Sequence, residues 1–228
     1  MLDPFGPEIW INDGPVVDGM AGFHYPTRMA VIRLSAGDLV IWSPTTLTIP
    51  LRQAVEALGP VRHIIAPNSL HHMALPDWHT AFPGALVHAM PGVAEKRPEV
   101  RFASDLGDGP HLAWAGEIDQ VIVPNNIADE AVFFHRMSGT VIFTDLLQNL
   151  PRTWFSGWRR LVARLDLMTG ETPRVPRKFR LALRPRAHVR AQVDRILDWP
   201  AQRVLMAHGT PVTDHARLFL RGAFDWLK

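Results

Sequence analysis

The sequence predicts a mixed α/β chain, and three observations carry that expectation. Short β-branched runs recur along it, "EIWIND", "MAVIRL", "DLVIWSP", "VRHIIAP", "IDQVIVP" and "QRVLMAHG", each bounded by turn residues. Stretches with helical apolar periodicity lie between them. Twenty prolines and 16 glycines in 228 residues call for many turns rather than a few long helices.

Taken in order, strands are expected at residues 8–13, 29–34, 38–44 (after the turn Ser35-Ala36-Gly37) and 61–67. "LTIPLRQAVEALG" puts Leu51, Ala54, Val55 and Leu58 on one helical face, with Thr48 as N-cap and Gly59 just past the end. "LPDWHTAFPGALVHAMPG" predicts a short helix, a Pro-Gly break and a strand at "ALVHAM". Glu95 to Gly116 is rich in Gly, Pro and charge and is read as loop. "EAVFFHRMSGTVIFTD" predicts a hairpin turning at Met137-Ser138-Gly139. The C-terminal helix places Ala216, Leu220, Ala223, Phe224 and Leu227 on one stripe.

Residues 151–190 differ in character. Their cations, from Arg152 to Arg190, face only Asp166 and Glu171, while Trp154, Phe155, Trp158, Leu161 and Leu165 form an apolar stripe at helical spacing. The reading is an Arg-rich helical insertion packed on the sheet, within a single domain spanning residues 1–228.

Composition bounds the chemistry. At 47% apolar the chain can bury a sizeable core. The absence of cysteine excludes disulfides, thiolate catalysis and Cys-bound zinc, so any metal must sit on His, Asp or Glu. A net charge of +2 selects no partner class. "MLDPFGPEIWIND" lacks a basic region followed by an apolar one, and there is no apolar run of about 18 residues, so a soluble, cytoplasmic chain with no membrane partner is expected.

Three expected strands end in side chains of metal-binding type. Ile65 leads to His71 and His72, Phe143-Thr144 to Asp145, and Leu205-Met206-Ala207 to His208. Loops at one end of an α/β sheet gather into a site, so these residues can meet although distant in sequence. A His/His/Asp/His set suits zinc, iron or manganese. The plainer reading is that strand-end histidines cap loops by hydrogen bonds. His24, His63, His79, His88, His111, His135, His188 and His215 have no such arrangement and are assigned surface or structural roles.

The succession "GDLVIWSP", helix, "IIAPNSLHH", hairpin, "TVIFTDLLQN" and "VLMAHGTPV" resembles the metallo-β-lactamase-like superfamily, from about Ile9 to the C-terminal helix. It is most similar to a subgroup of unknown function marked by Ser43-Pro44 and the loop Pro67-Asn68-Ser69-Leu70-His71-His72. The resemblance implies an αββα sandwich, two mixed sheets flanked by helices, with a metal site at the sheet rim. Family hydrolases carry H-x-H-x-D-H in that loop. In that register Pro67 and Ser69 stand where the first two histidines belong, and Asn125 or Asn126 where a third precedes the hairpin.

The resemblance therefore implies a first metal site that is lost and a second that is kept at His71, His72, Asp145 and His208, holding one divalent ion. Asn68, Asn125 and Asn126 would fill the vacated site, and Glu130 is an extra ligand, an orienting group or a surface residue. The function implied is metal-dependent hydrolysis of a small ester, lactone or thioester, with Asp145 as the catalytic proton acceptor. The alternative is an inactive binding or structural protein on the same fold that engages an anionic partner through the Arg-rich segment. Nucleic acid is not expected as that partner, since no nucleic-acid module is recognisable.

Overall fold

The structure is a computed structural model that describes residues 2–227. Its seven-stranded sheet is built, edge to edge, from β1 (Asp3–Gly6), β2 (Ile9–Asp18), β3 (His24–Arg33), β4 (Leu39–Trp42), β5 (Val61–Ala66), β6 (Leu86–Ala89) and β7 (Phe102–Asp105). β1 to β4 pair antiparallel and β4 to β7 pair parallel. The second sheet has the order β11 (Arg203–Gly209), β10 (Thr140–Asn149), β9 (Glu130–His135), β8 (Ile118–Val123). Its β8, β9 and β10 are antiparallel and β11 runs parallel to β10.

Side-chain alternation along the strands explains why the sheets stack. Ala30 and Ile32 of β3, Val40 and Trp42 of β4, and Ile142 and Leu205 of the other sheet share one core between the sheets. Their neighbours in sequence turn outward. Met29, Val31, Leu39 and Ile41 pack beneath α1 (Ile49–Glu56) and α2 (Leu75–Ala81). On the far side, Val141, Phe143, Val204 and Met206 pack beneath α4 (Arg177–Ala182), α5 (Arg186–Asp198) and α6 (Ala216–Ala223). Helix, sheet, sheet, helix is the sandwich that the sequence predicts.

Local chemistry agrees with the expected helix ends. Leu51 N–H donates to Thr48 Oγ1, capping α1. The hairpin turns at Gly139, whose φ is +62°.

Two elements depart from expectation. The 95–116 segment contains β7, an edge strand whose Phe102 and Ser104 are half-buried while Ala103 and Asp105 are exposed. An edge strand this short has no buried run for a sequence pattern to reveal.

The Arg-rich segment is helical as expected, and Phe179 and Leu183 around α4 and Val189 and Val193 of α5 do join the outer core. However, α3 (Gly157–Leu165) reverses its expected orientation. Trp158, Leu161 and Leu165 are 55%, 60% and 56% exposed, and the residue it buries is Ala163, against Leu150, Phe155 and Met168. Among the described residues no helix is long and apolar enough to cross a membrane.

Candidate metal centre

The site lies at the ends of β4, β5 and β11 and at a bulge within β10, rather than past its end as the sequence suggests, and each strand delivers its group by a local device. Ser43, directly after β4, has φ +50°, an uncommon conformation for a residue with a side chain. Its Oγ lies 2.8 Å from His71 Nδ1. Past β5, Asn68 forms a tight turn in which its Oδ1 accepts from Leu70 N–H (2.9 Å) and His71 N–H (3.1 Å), which fixes where His71 starts.

β10 reaches the site through a bulge. Phe143 pairs with Met206 and Gln148 with His208, so five steps along β10 match two along β11, and Asp145 sits in the excess. A bulge strips backbone N–H groups of ladder partners, and in a buried place they need replacements. Glu130, 1% exposed, supplies them: its carboxylate accepts from Thr144 N–H (2.7 Å), Asp145 N–H (2.8 Å) and Leu146 N–H (3.0 Å). Burial, reinforced by the charge of Asp145, raises its pKa, but three N–H donors aimed at two oxygens require acceptors there and favour the ionised carboxylate.

His208 precedes Gly209, whose φ is +122° and whose Cα lies so close to the Asn149 backbone that a Cβ would overlap it. Only glycine lets the chain turn there. Arg28 of β3 ties this corner across the two sheets, its Nη1 donating to the Met206 (3.0 Å) and Gly209 carbonyls.

Three of the four expected ligands converge. One donor atom each from His71, Asp145 and His208 can be chosen so that all lie within 4.8 Å of one another. His71 Nε2 stands 3.4 Å from Asp145 Oδ2, and His208 Nε2 stands 3.4 Å from Asp145 Oδ1.

The second nitrogens are already committed. The Pro26 carbonyl, 2.7 Å away, can only accept, so His208 Nδ1 carries a proton and donates to it, which leaves Nε2 as the nitrogen that faces Asp145. The Ser43 hydroxyl, which can donate or accept, occupies Nδ1 of His71 and leaves its Nε2 facing Asp145. This pairing of each imidazole with an orienting oxygen is what metal-binding histidines require. Thr144 Oγ1 and Gln148 Oε1, flanking Asp145, are buried polar atoms without a partner among the described residues. Two oriented imidazoles and a carboxylate fit a divalent ion of the zinc, iron or manganese kind.

Electrostatics favour an ionised Asp145. Burial opposes the charge on Asp145, but its hydrogen bonds with His208 and His71 outweigh that and hold the carboxyl well below the usual range. Burial likewise lowers the pKa of His71 despite Asp145.

His72 does not join the group. Arg97 Nε donates to its Nδ1 at 3.0 Å, and burial together with Arg97 and Lys96 lowers its pKa to about 4. Adjacent residues in a tight loop point apart, so two neighbouring histidines seldom face one point. Asn68 does reach the centre, donating from Nδ2 to Asp145 Oδ2 at 2.7 Å. Asn125 does not: it donates from Nδ2 to the Phe179 carbonyl and accepts from Ile127 N–H, while Asn126 N–H donates to the Ala182 carbonyl. These two tie their loop to α4.

The centre opens into a cavity of about 690 Å³. Phe23, Tyr25, Met168 and Phe179 give it apolar walls, and Lys178 places its ammonium 5.6 Å from the Tyr25 ring. Sequence reasoning missed Pro26 and the Ser43 contact, although Ser43-Pro44 stood out as a motif. It left Glu130 open; the signal was a lone acid opening an otherwise apolar strand.

Comparison with known proteins agrees with this architecture. A metallo-β-lactamase from Pseudomonas aeruginosa, FIM-1 in its mono-zinc form, superposes with a TM-score of 0.64 at 12% identity, covering 99% of this chain and 95% of that one. A metallo-β-lactamase from Hirschia baltica gives 0.63 at 12% identity, covering 100% and 97%. The flavodiiron core of Flv1 from Synechocystis sp. PCC6803 gives 0.67 at 14% identity, covering 100% of this chain and 60% of that one. At such identities the likeness concerns the fold. No curated protein matches the sequence. The family described as "Domain of unknown function (DUF4336)" matches residues 8–156, most of the chain. The chain therefore belongs to that family and has the metallo-β-lactamase fold.

Proposed function

We propose that this protein is a metal-dependent hydrolase with one metal position, acting on an ester, lactone or thioester. The observation that carries the reading is the convergence of His71 from the loop after β5, Asp145 from the β10 bulge and His208 from the end of β11 on the wall of a cavity of about 690 Å³. In this reading those three residues hold the ion. The hydrolases' other metal position is given up: Pro67 and Ser69 offer no imidazole there, and Asn68 bonds Asp145 instead. That FIM-1 has a mono-zinc form supports the idea that this fold can hold a single ion.

A bound divalent ion lowers the pKa of a water toward about 7 and polarises a carbonyl oxygen. The protein's own groups do the rest. Pro26 and Ser43 hold the imidazoles in orientation, Glu130 fixes the bulge that presents Asp145, and the ionised Asp145 stands ready to accept a proton. Lys178, on the cavity wall, attracts an anionic substituent of the substrate. The test is a panel of aryl esters, lactones and acyl thioesters assayed as purified, after chelation, and after returning zinc, iron or manganese. Turnover lost with chelation and restored by one of these ions is expected. Activity that chelation leaves unchanged contradicts the proposal.

A second reading is favoured by a separate observation. Arg152, Arg164 and Arg174 line a pocket of about 370 Å³ and have no carboxylate partner among the described residues. On that reading the fold is an inactive scaffold that binds an anionic partner there. Binding of polyanions that is abolished by Arg164→Ala, with no turnover on any ester, supports it over the hydrolase.

A further inference from the structure

Most of the outward face of α3 is uncovered among the described residues. Trp158, Leu161 and Leu165 recur at i, i+3 and i+7, which makes one helical stripe, and all three are more than half exposed. Arg160 and Arg164 flank the stripe, exposed and without carboxylate partners among the described residues. The helix is anchored at its first turn: Arg159 Nε donates to the Ala21 carbonyl at 2.7 Å, and Trp158, at the inner end of the stripe, meets Phe23 edge-on with ring centres 5.8 Å apart while keeping 55% of its surface exposed.

This face continues into the cavity. Val162 of α3 and Met20, on the turn that Arg159 holds, are 41% and 89% exposed and both line the cavity mouth. Leu70 and Met73, 42% and 58% exposed, line it as well. The opening is thus rimmed by apolar side chains in water, beside a helix that is apolar on its outer face and cationic along one edge.

An apolar face with Trp and Leu, bordered by Arg, is the composition of a helix lying in the interfacial plane of a bilayer. A second copy of the chain is a poorer occupant, because a symmetric contact through α3 would bring Arg160 and Arg164 against the same unpaired cations. Anionic headgroups complement them instead. We propose that α3 docks on an anionic phospholipid surface, and that the cavity beside it takes from that surface a ligand with an apolar acyl or alkyl chain. The docking stands independently of the hydrolase reading. The ligand half rests on that reading and narrows its substrate to an ester or thioester with such a chain. The expectation of no membrane partner addressed spanning and leader segments, and placed the stripe of α3 inward.

The test is sedimentation of the full chain with vesicles of phosphatidylcholine alone and of phosphatidylcholine with phosphatidylglycerol, as purified and after chelation. Binding to the anionic vesicles is expected to exceed binding to the neutral ones by about tenfold and to weaken with salt. Leu161→Asp/Leu165→Asp should lower it by at least about tenfold with an unchanged thermal midpoint, both side chains being exposed. Binding retained after chelation supports docking whatever becomes of the hydrolase. Equal partitioning of wild type and variant overturns the proposal, as does the absence of binding. So does a dimer in sedimentation velocity that the same substitutions dissociate, since a second copy would then cover the face.

Discussion

At the scale of single residues, the centre depends as much on the groups behind the ligands as on the ligands. Ser43 and the Pro26 carbonyl each occupy the far nitrogen of an imidazole, and loss of such an orienting partner lowers metal affinity about 10–100-fold. Ser43→Ala is expected to do so in a competition titration with a chromogenic chelator. His72→Ala should leave metal content near the wild-type value and His208→Ala should abolish it, because only His208 faces Asp145. Metal analysis of the two variants side by side reads this difference. The sequence showed which loops carry ligand-type residues, but not which of two adjacent histidines turns inward. That choice is made by the Asn68 turn and by Arg97, 25 positions from His72.

At the scale of elements, the bulge in β10 and the end of β11 set the geometry. Glu130 spans the bulge with three backbone bonds through two oxygens. In Glu130→Gln one oxygen becomes an NH₂ facing backbone donors, which leaves buried N–H groups unpaired at about 1–3 kcal/mol each. A lowered denaturation midpoint together with weakened metal binding is expected; unchanged stability would show the bulge to be held by something else. Gly209→Ala meets both the Asn149 backbone and an unfavourable φ, and should cost about 1–3 kcal/mol while displacing His208.

Neither device was legible beforehand, since a bulge is a mismatch between two strands and is written in neither alone. The helix α3 offers the complementary lesson. Its apolar periodicity was plain, and periodicity marks the stripe without saying whether protein or something else covers it.

Across the whole molecule, the sandwich follows from alternation in β3, β4, β10 and β11; short sequence runs revealed the strands, and the family resemblance supplied their stacking as an αββα sandwich. The buried histidines add a property of the entire fold. His88 and His135, 1% and 2% exposed, have pKa values lowered to about 4 by burial. Their folded values lie below the unfolded value of about 6.5. The stability they contribute is therefore complete above about pH 6.5 and is lost as pH falls toward 4, at up to about 1.4 kcal/mol per pH unit for each. Thermal midpoints of chelator-treated protein should fall over that range, and His135→Gln should flatten the fall. A midpoint constant between about pH 6.5 and 4.5 would mean that these histidines are not held neutral.

The central claim is that three side chains, one from a loop and two from neighbouring strands, share one ion. Anomalous diffraction at a metal edge, from crystals grown without chelator, tests it most directly. The account predicts one peak, about 2.0–2.2 Å from His71 Nε2, His208 Nε2 and an Asp145 oxygen. A peak on His72 instead, or fully ordered side chains at 71, 145 and 208 with no peak between them in the presence of added zinc, iron and manganese, would contradict it.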